Sequence, residues 1–210
     1  MKANRIAVFA SGRGSNFQAL VEAQRKGLLG AEIRLLVCDK QEAPVVELAK
    51  AADVDVFVFQ PKAYASKEAY EREIAVELDR QDVDLLVLAG YMRLLSPSFV
   101  ETYSGRIINI HPSLLPAFPG KDAIGQAIEY GVKMTGVTVH FVDGGMDTGP
   151  VIAQRAVEVR EGDDAAALAE RIHEVEQKLY YEVVSWFAEG RVSLNGRHVT
   201  IADKVQEVEH

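Results

Sequence analysis

Cysteine is nearly absent from this chain: Cys38 is the only one among 210 residues. A single thiol cannot form an intrachain disulfide, which fits a reducing compartment. Cys38 itself lies in an apolar run and reads as inert core. A surplus of positive charge is also missing. Lys and Arg number 23 against 31 Asp and Glu, a net charge of −8. A general nucleic-acid binder needs a basic face to neutralise phosphates, so this balance argues against that class. No apolar run approaches the ~20 residues of a membrane span. The apolar part of the opening M-K-A-N-R-I-A-V-F-A-S-G is too short for a signal peptide. Internal repeats and low-complexity tracts are lacking too. Together these absences give the expectation of a cytoplasmic protein with no membrane partner and no nucleic-acid partner.

What is present is an ordinary globular composition, 48% apolar and 26% charged, in a chain long enough for one large domain with a sizeable core. Short apolar runs alternate with helix-spaced segments through the first half. Ile6 to Ala10, Ile33 to Cys38, Val56 to Phe59 and Asp84 to Ala89 read as strands. Pro44 to Ala52 and a helix opened by Ser66, with Tyr70, Ile74 and Leu78 on one face, lie between them. This alternation predicts a parallel sheet with helices on both faces. The later strands, Thr135 to Val142 and Val151 to Val157, have shorter connections and predict antiparallel edges on the same sheet. The expected fold class is α/β, a single-domain, three-layer, mostly parallel twisted sheet. Asp163 is expected to cap a long helix carrying Leu168, Ile172, Val175, Leu179 and Val183 on one stripe. Gly190 would end it, and a hairpin would turn at Asn195-Gly196. The charged end from Lys204 to His210 reads as frayed.

The stretch around which the chain is organised is Arg106 to Gly120, R-I-I-N-I-H-P-S-L-L-P-A-F-P-G. It begins as a buried strand and becomes a loop held by Pro112, Pro116 and Pro119. Asn109 and His111 interrupt the apolar run two residues apart, so both point to one face. Pro112 keeps His111 extended. An amide and an imidazole therefore stand side by side at a strand's C-terminal end, where open α/β sheets bind ligands. The competing reading is a pair of hydrogen-bonded core residues.

Three other loops carry chemistry-bearing residues. Ser11-Gly12-Arg13-Gly14-Ser15-Asn16 joins the first strand to a helix that Ser15 or Asn16 can cap. Backbone N–H groups and the helix dipole make it an anion cradle suited to a single phosphate. A dinucleotide loop would need glycine where Phe17 stands, and a Walker A loop would need Gly-Lys-Ser/Thr. Gly90-Tyr91-Met92-Arg93-Leu94-Leu95 follows the central strand, with apolar residues where a loop is usually polar. They either tuck under the core or line an apolar pocket. The glycine-rich loop from Asp143 to Pro150 holds Asp147, either a turn former or a carboxylate aimed at something. His140 reads as a satisfied core histidine rather than a reactant. Lys67, in the first turn of its helix, is a cation at the end that disfavours it by about 0.3–1 kcal/mol.

In this order, S-G-R-G-S-N, G-Y-M-R-L-L-S-P, N-I-H-P-S-L-L-P, G-V-T-V-H-F-V and D-T-G-P at Asp147 resemble the phosphoribosylglycinamide formyltransferases. These are the folate-dependent glycinamide ribonucleotide transformylases of purine synthesis. The resemblance spans essentially the whole chain and implies a formyltransferase, Rossmann-like fold. It divides the chain into a mononucleotide-binding half (1–105), a catalytic half (106–200) and a tail (201–210). It implies Asn109, His111 and Asp147 as the catalytic group. Gly14, Ser15, Asn16, Pro112 and Glu176 would bind the nucleotide. Lys67, Met92, Arg93, Leu94, Leu95 and Asn109 would bind the folate. The formyl donor would be 10-formyltetrahydrofolate, with no metal, and the protein a monomer or homodimer acting on small molecules. Lys121-Asp122-Ala123 receives no role.

Other classes are weighed against this. A formyltetrahydrofolate hydrolase could use the same three residues, but in that family they follow an extra N-terminal domain. A methionyl-tRNA formyltransferase resembles a longer chain with an RNA-binding domain. An NAD-dependent oxidoreductase would place Asp39 on a ribose, and Phe17 argues against it. A metallohydrolase built on His111, His140 and Asp147 matches no standard ligand spacing. A non-catalytic nucleotide-binding module would be marked by a broken catalytic group, and here all three residues are present.

Overall fold

A computed structural model describes residues 2–204. The elements run β1 (Arg5–Ala10), α1 (Ser15–Arg25), β2 (Glu32–Cys38), α2 (Pro44–Ala51), β3 (Asp55–Val58), α3 (Lys67–Arg80), β4 (Leu85–Leu88) and α4 (Pro97–Thr102), then β5 (Ile107–His111), α5 (Ala123–Tyr130), β6 (Met134–Phe141), β7 (Val151–Glu158), α6 (Ala165–Ala188) and the hairpin β8 (Val192–Asn195) and β9 (His198–Ile201). Seven strands form one sheet in the order β3-β2-β1-β4-β5-β6-β7. The first five pair in parallel, and β6 and β7 add antiparallel to that edge. The expected fold class is therefore what the chain adopts.

Continuous apolar runs form the central strands because both faces of the sheet are covered. Along β1, Ile6, Val8 and Ala10 enter the core beneath α1, α2 and α6. Ala7 and Phe9 point to the opposite core, closed by Tyr70, Ile74 and Leu78 of α3 and Phe99 and Val100 of α4. Fully buried side chains such as Phe9 and Phe17 each contribute about 1.5–3 kcal/mol. Residues 1–105 and 106–200 share this one sheet, since Leu86, Val87 and Leu88 of β4 pair with Ile107, Ile108 and Asn109 of β5. Tyr180 of α6 is completely buried. Its hydroxyl donates to the Leu88 carbonyl at 2.6 Å and lies 3.3 Å from that of Ile108, fastening α6 beneath the strands that carry the site.

Several sequence expectations shift by a residue or a role. The N-cap of α1 is Gly14 in the left-handed region, with no side-chain capping bond, and not Ser15 or Asn16. A Cβ on Gly14 would lie 2.5 Å from Val45 Cγ2, so the turn hugs α2 in a way only glycine permits. The cap of α6 is Asp164, which accepts the Ala167 N–H at 2.8 Å. Asp163 instead accepts the Arg160 N–H at 2.7 Å and pairs with Arg171. Val175 is only half-buried. Ser66 and Ser96 cap α3 and α4 as expected. At the C-terminus, the Ala202 N–H donates to the Arg191 carbonyl at 2.9 Å and Lys204 pairs with Glu189 at 3.1 Å. The rest of the expected tail, 205–210, lies outside the described residues. No helix among the described residues is long and apolar enough to cross a membrane.

Replacing Tyr180 by Phe removes one buried donor and keeps the ring. The expected loss is about 1 kcal/mol of unfolding free energy, read by denaturant titration with an unchanged far-ultraviolet spectrum.

Candidate active site

The strand order puts the loops after β1, β4 and β5 side by side at the C-terminal edge of the sheet. The chain runs outward from β1 through β2 to β3, then returns past it to β4, so this edge holds the topological switch point. A cleft of about 920 Å³ opens there. Its wall includes Gly14, Ser15 and Asn16 after β1, Met92, Arg93 and Leu94 after β4, and Asn109, His111 and Pro112 of β5 and its loop. Asp147 of the β6–β7 loop and Glu176 of α6 complete the set read from the sequence. Two residues fall outside it. Lys67 starts α3 away from the wall, and Leu95 packs against the core beneath α3 and α4.

Asn109 and His111 share the sheet face of Ile107, while Ile108 and Ile110 fill the opposite core. His140 lies directly across from Asn109 in the β5–β6 register. Its Nε2 is 3.4 Å from Asn109 Nδ2, and its Nδ1 is 2.8 Å from the Phe141 carbonyl. A carbonyl only accepts, so Nδ1 carries a proton, and Nε2 faces both the Asn109 amide and the Asp147 carboxylate. Asp147 closes the group. Its Oδ2 accepts the Gly120 N–H at 2.8 Å and stands 3.4 Å from His111 Nδ1. Its Oδ1 is 3.6 Å from His140 Nε2. The other nitrogen of His111, Nε2, is 2.8 Å from the Phe118 carbonyl. Both ring nitrogens of His111 thus face acceptors, and a ring with both protons is the form that satisfies both.

Loop geometry supports this arrangement. Phe118 has a φ of +50° and Asp147 one of +55°. An aromatic residue in that region costs on the order of 1–3 kcal/mol and is held by its surroundings. The proline loop is fastened from β6, where Thr138 Oγ1 donates to the Ser113 carbonyl at 2.7 Å and accepts the Leu115 N–H at 3.1 Å. A Cβ on Gly149 would meet the Phe141 carbonyl oxygen at 1.7 Å, so the turn after Asp147 must pass against β6. Burial by itself would raise the Asp147 carboxyl. The facing His140, the Gly120 N–H and the His111 charge outweigh it and hold the group below its ordinary value.

On the opposite side of the sheet edge, Glu176 is buried and its Oε2 is 2.7 Å from His173 Nδ1. That bond is the main reason the His173 imidazole is raised above its ordinary value. His173 lines the cleft as well. The Asn16 amide oxygen, also on the wall, is buried with no hydrogen-bond partner among the described residues. Sequence reading takes His140 as a core histidine, which it is, and gives His173 no role. The only available signals were an N-x-H strand pairing with a T-V-H strand, and an H-x-x-E spacing that stacks two side chains on one helix face.

A family model described as formyl transferase matches residues 4–184. The chain belongs to the formyl transferase family. It is 52% identical over 180 residues to phosphoribosylglycinamide formyltransferase of Bacillus subtilis, an alignment covering 86% of this chain and 92% of that protein. Glycinamide ribonucleotide transformylase 1 from Symbiobacterium toebii superposes with a TM-score of 0.92 at 45% identity, covering 95% of this chain and 94% of that one. A formyltetrahydrofolate deformylase from Pseudomonas syringae shares the formyl transferase fold at a TM-score of 0.88 and 27% identity, covering 97% of this chain and 67% of that one.

Two titrations follow from these surroundings. A carboxyl lowered in the folded state stabilises the fold above its unfolded value of about 3.9 and loses that contribution as pH falls through its folded value. Wild type is therefore expected to exceed Asp147→Asn in unfolding free energy at pH 5–7, with the gap closing below about pH 4, as read by urea titration across pH. The raised imidazole of His173 gives the opposite sign. Its pairing is fully present below the unfolded value of about 6.5 and is lost as pH rises through the folded one. Its NMR titration midpoint should move down in Glu176→Gln.

Proposed function

We propose that this formyl transferase moves the formyl group of 10-formyltetrahydrofolate to the amino group of 5'-phosphoribosylglycinamide. The products are formylglycinamide ribonucleotide and tetrahydrofolate, a step of purine biosynthesis. The observation that carries the reading is one cleft with three parts: an anion cradle, an apolar loop, and an Asn–His–Asp group. Gly14, Ser15 and Asn16 would take the phosphate through backbone N–H groups at the start of α1. The remaining Oε1 of Glu176 would accept from the ribose hydroxyls, and Pro112 would border the glycinamide. Met92, Arg93 and Leu94 would take the folate. Residues 1–105 would then supply the phosphate cradle and the folate loop, and 106–200 the reacting group.

The chemistry follows from these side chains. The amine nitrogen attacks the formyl carbon, and the carbonyl oxygen becomes anionic. Asn109 Nδ2 donates to that oxygen where its charge develops, and His111 joins it by turning its Nε2–H from the Phe118 carbonyl to the oxyanion. Asp147 holds His111 in the donating form and can orient a water that takes the proton from the amine. Collapse breaks the bond between the formyl carbon and the folate nitrogen, which receives a proton as it leaves. Every atom is accounted for without a covalent enzyme intermediate.

Hydrolysis of the same donor is the second reading. It would leave the cradle, the unpartnered Asn16 oxygen and the Glu176 side without a use, so transfer is favoured. The deciding experiment follows the absorbance of the folate product with and without glycinamide ribonucleotide. Turnover is expected only with the nucleotide, and turnover at the same rate without it would establish the hydrolase. In the transfer assay Asn109→Ala is expected to raise the barrier by about 2.7–4 kcal/mol, the cost of one oxyanion donor. An unchanged kcat would remove Asn109 from the catalytic group.

A further inference from the structure

Asp39 directly follows β2, at the position where a dinucleotide-binding fold would hold a ribose. Here it does something else. Its side chain is 1% exposed, and its Oδ2 accepts from Arg93 Nε at 2.8 Å. Its Oδ1 has no hydrogen-bond partner among the described residues. Asp39 does not line the cleft, whereas Arg93 does. A buried carboxylate with one cationic partner commits that partner, because withdrawing Arg93 would leave the charge uncompensated.

The segment from Gly90 to Ser96 is held at further points by Ser11 in the turn after β1 and by Glu71 of α3. The Gly90 carbonyl accepts the Ser11 N–H at 3.1 Å. The Met92 N–H donates to Ser11 Oγ at 2.9 Å. At its far end the Ser96 N–H donates to Glu71 Oε1 at 2.8 Å, and the Ser96 hydroxyl donates to the same buried carboxylate. Between these anchors Met92 and Leu94 are 72% and 63% exposed. Exposed apolar side chains flanking an arginine would ordinarily fold inward while the arginine turned to water. The bond to Asp39 fixes the arginine stem and leaves its two neighbours displayed at the cleft.

We propose that Asp39 is a positioning residue for the formyl donor: through Arg93 it presets the 90–96 loop so that Met92 and Leu94 meet the folate already ordered. This rests on the transfer reading above. Preorganisation of a loop lowers the ordering cost of binding, so its loss falls on affinity for one substrate. Ser11 borders the phosphate cradle as well, and its removal would disturb both substrates. Asp39 reaches only the donor side.

The test is steady-state kinetics with 10-formyltetrahydrofolate and glycinamide ribonucleotide varied separately, for Asp39→Ala and Asp39→Asn in the full chain. Asp39→Ala is expected to raise the donor KM about tenfold or more, as for loss of a charge-assisted bond. The nucleotide KM should stay within about twofold, since uniform binding is lost for one substrate only. Asp39→Asn keeps an acceptor for Arg93 and should fall between wild type and Asp39→Ala. Calorimetric binding of tetrahydrofolate should weaken in parallel. An unchanged donor KM in a folded variant, or equal rises in both KM values, overturns the proposal. If Asp39→Ala does not fold, Asp39→Asn decides, and failure of both to fold would assign Asp39 to the core and overturn it. If the wild type itself shows no nucleotide-dependent turnover, the transfer reading fails instead.

Discussion

The site depends on one half-buried carboxylate that has just enough partners. Asp147 comes from a loop 36 residues beyond His111 in the chain, yet it touches His111, His140 and the Gly120 N–H at once. Taking a carboxylate out of water is costly unless donors replace the water. Here the Gly120 N–H and the rings of His111 and His140 take the place of water. The Asp147 contact therefore folds the β6–β7 loop onto the proline loop, and it orients the ring of His111 in the same act.

The sheet gives the cleft two sides of different make-up. Cores of different composition lie on its two faces, one beneath α1, α2 and α6, the other beneath α3 and α4. The cradle at the start of α1 and the His173–Glu176 pair of α6 belong to the first side. The 90–95 loop, with Leu95 and Tyr91 packed into the second core, belongs to the other. Asn109 and His111 project from the strand edge between them. Two ligands approaching from opposite faces would meet at that edge with their reacting atoms beside the same amide and imidazole. Proximity of this kind removes much of the entropic barrier to joining two molecules.

Much of this was readable in the sequence, for identifiable reasons. The strands announced themselves because burial on both faces demands unbroken apolar runs. Asn109 and His111 were visible because they break such a run with a period of two. The caps at Ser66 and Ser96 followed local rules. What was not readable depended on register across strands or on a choice between adjacent residues. His140 was read as core, and it is buried and hydrogen-bonded. Its place beside Asp147 comes from pairing opposite Asn109, which no local pattern encodes. Gly14 took the cap from Ser15 because Val45 presses on the turn. Asp163 lost the next cap to Asp164 because Arg171 claims it. Lys67 looked like a folate contact only through family resemblance, and α3 begins away from the cleft wall.

The same frame also shows how a Rossmann-like sheet can be closed to dinucleotides by two residues. Phe17 stands where the third glycine of the fingerprint would allow close helix–strand packing. Its ring is fully buried in the core under α1, so it sets the height of the helix above the strand. The first two glycines of the fingerprint, Gly12 and Gly14, are present, but the third, which would bring the helix of a dinucleotide-binding fold close to its strand, is replaced by Phe17. At the end of β2, the carboxylate that would hold a ribose is turned inward and bound to Arg93. Fold class alone would have left both ligands open. An aromatic ring in the core and the direction of one carboxylate both argue against the dinucleotide.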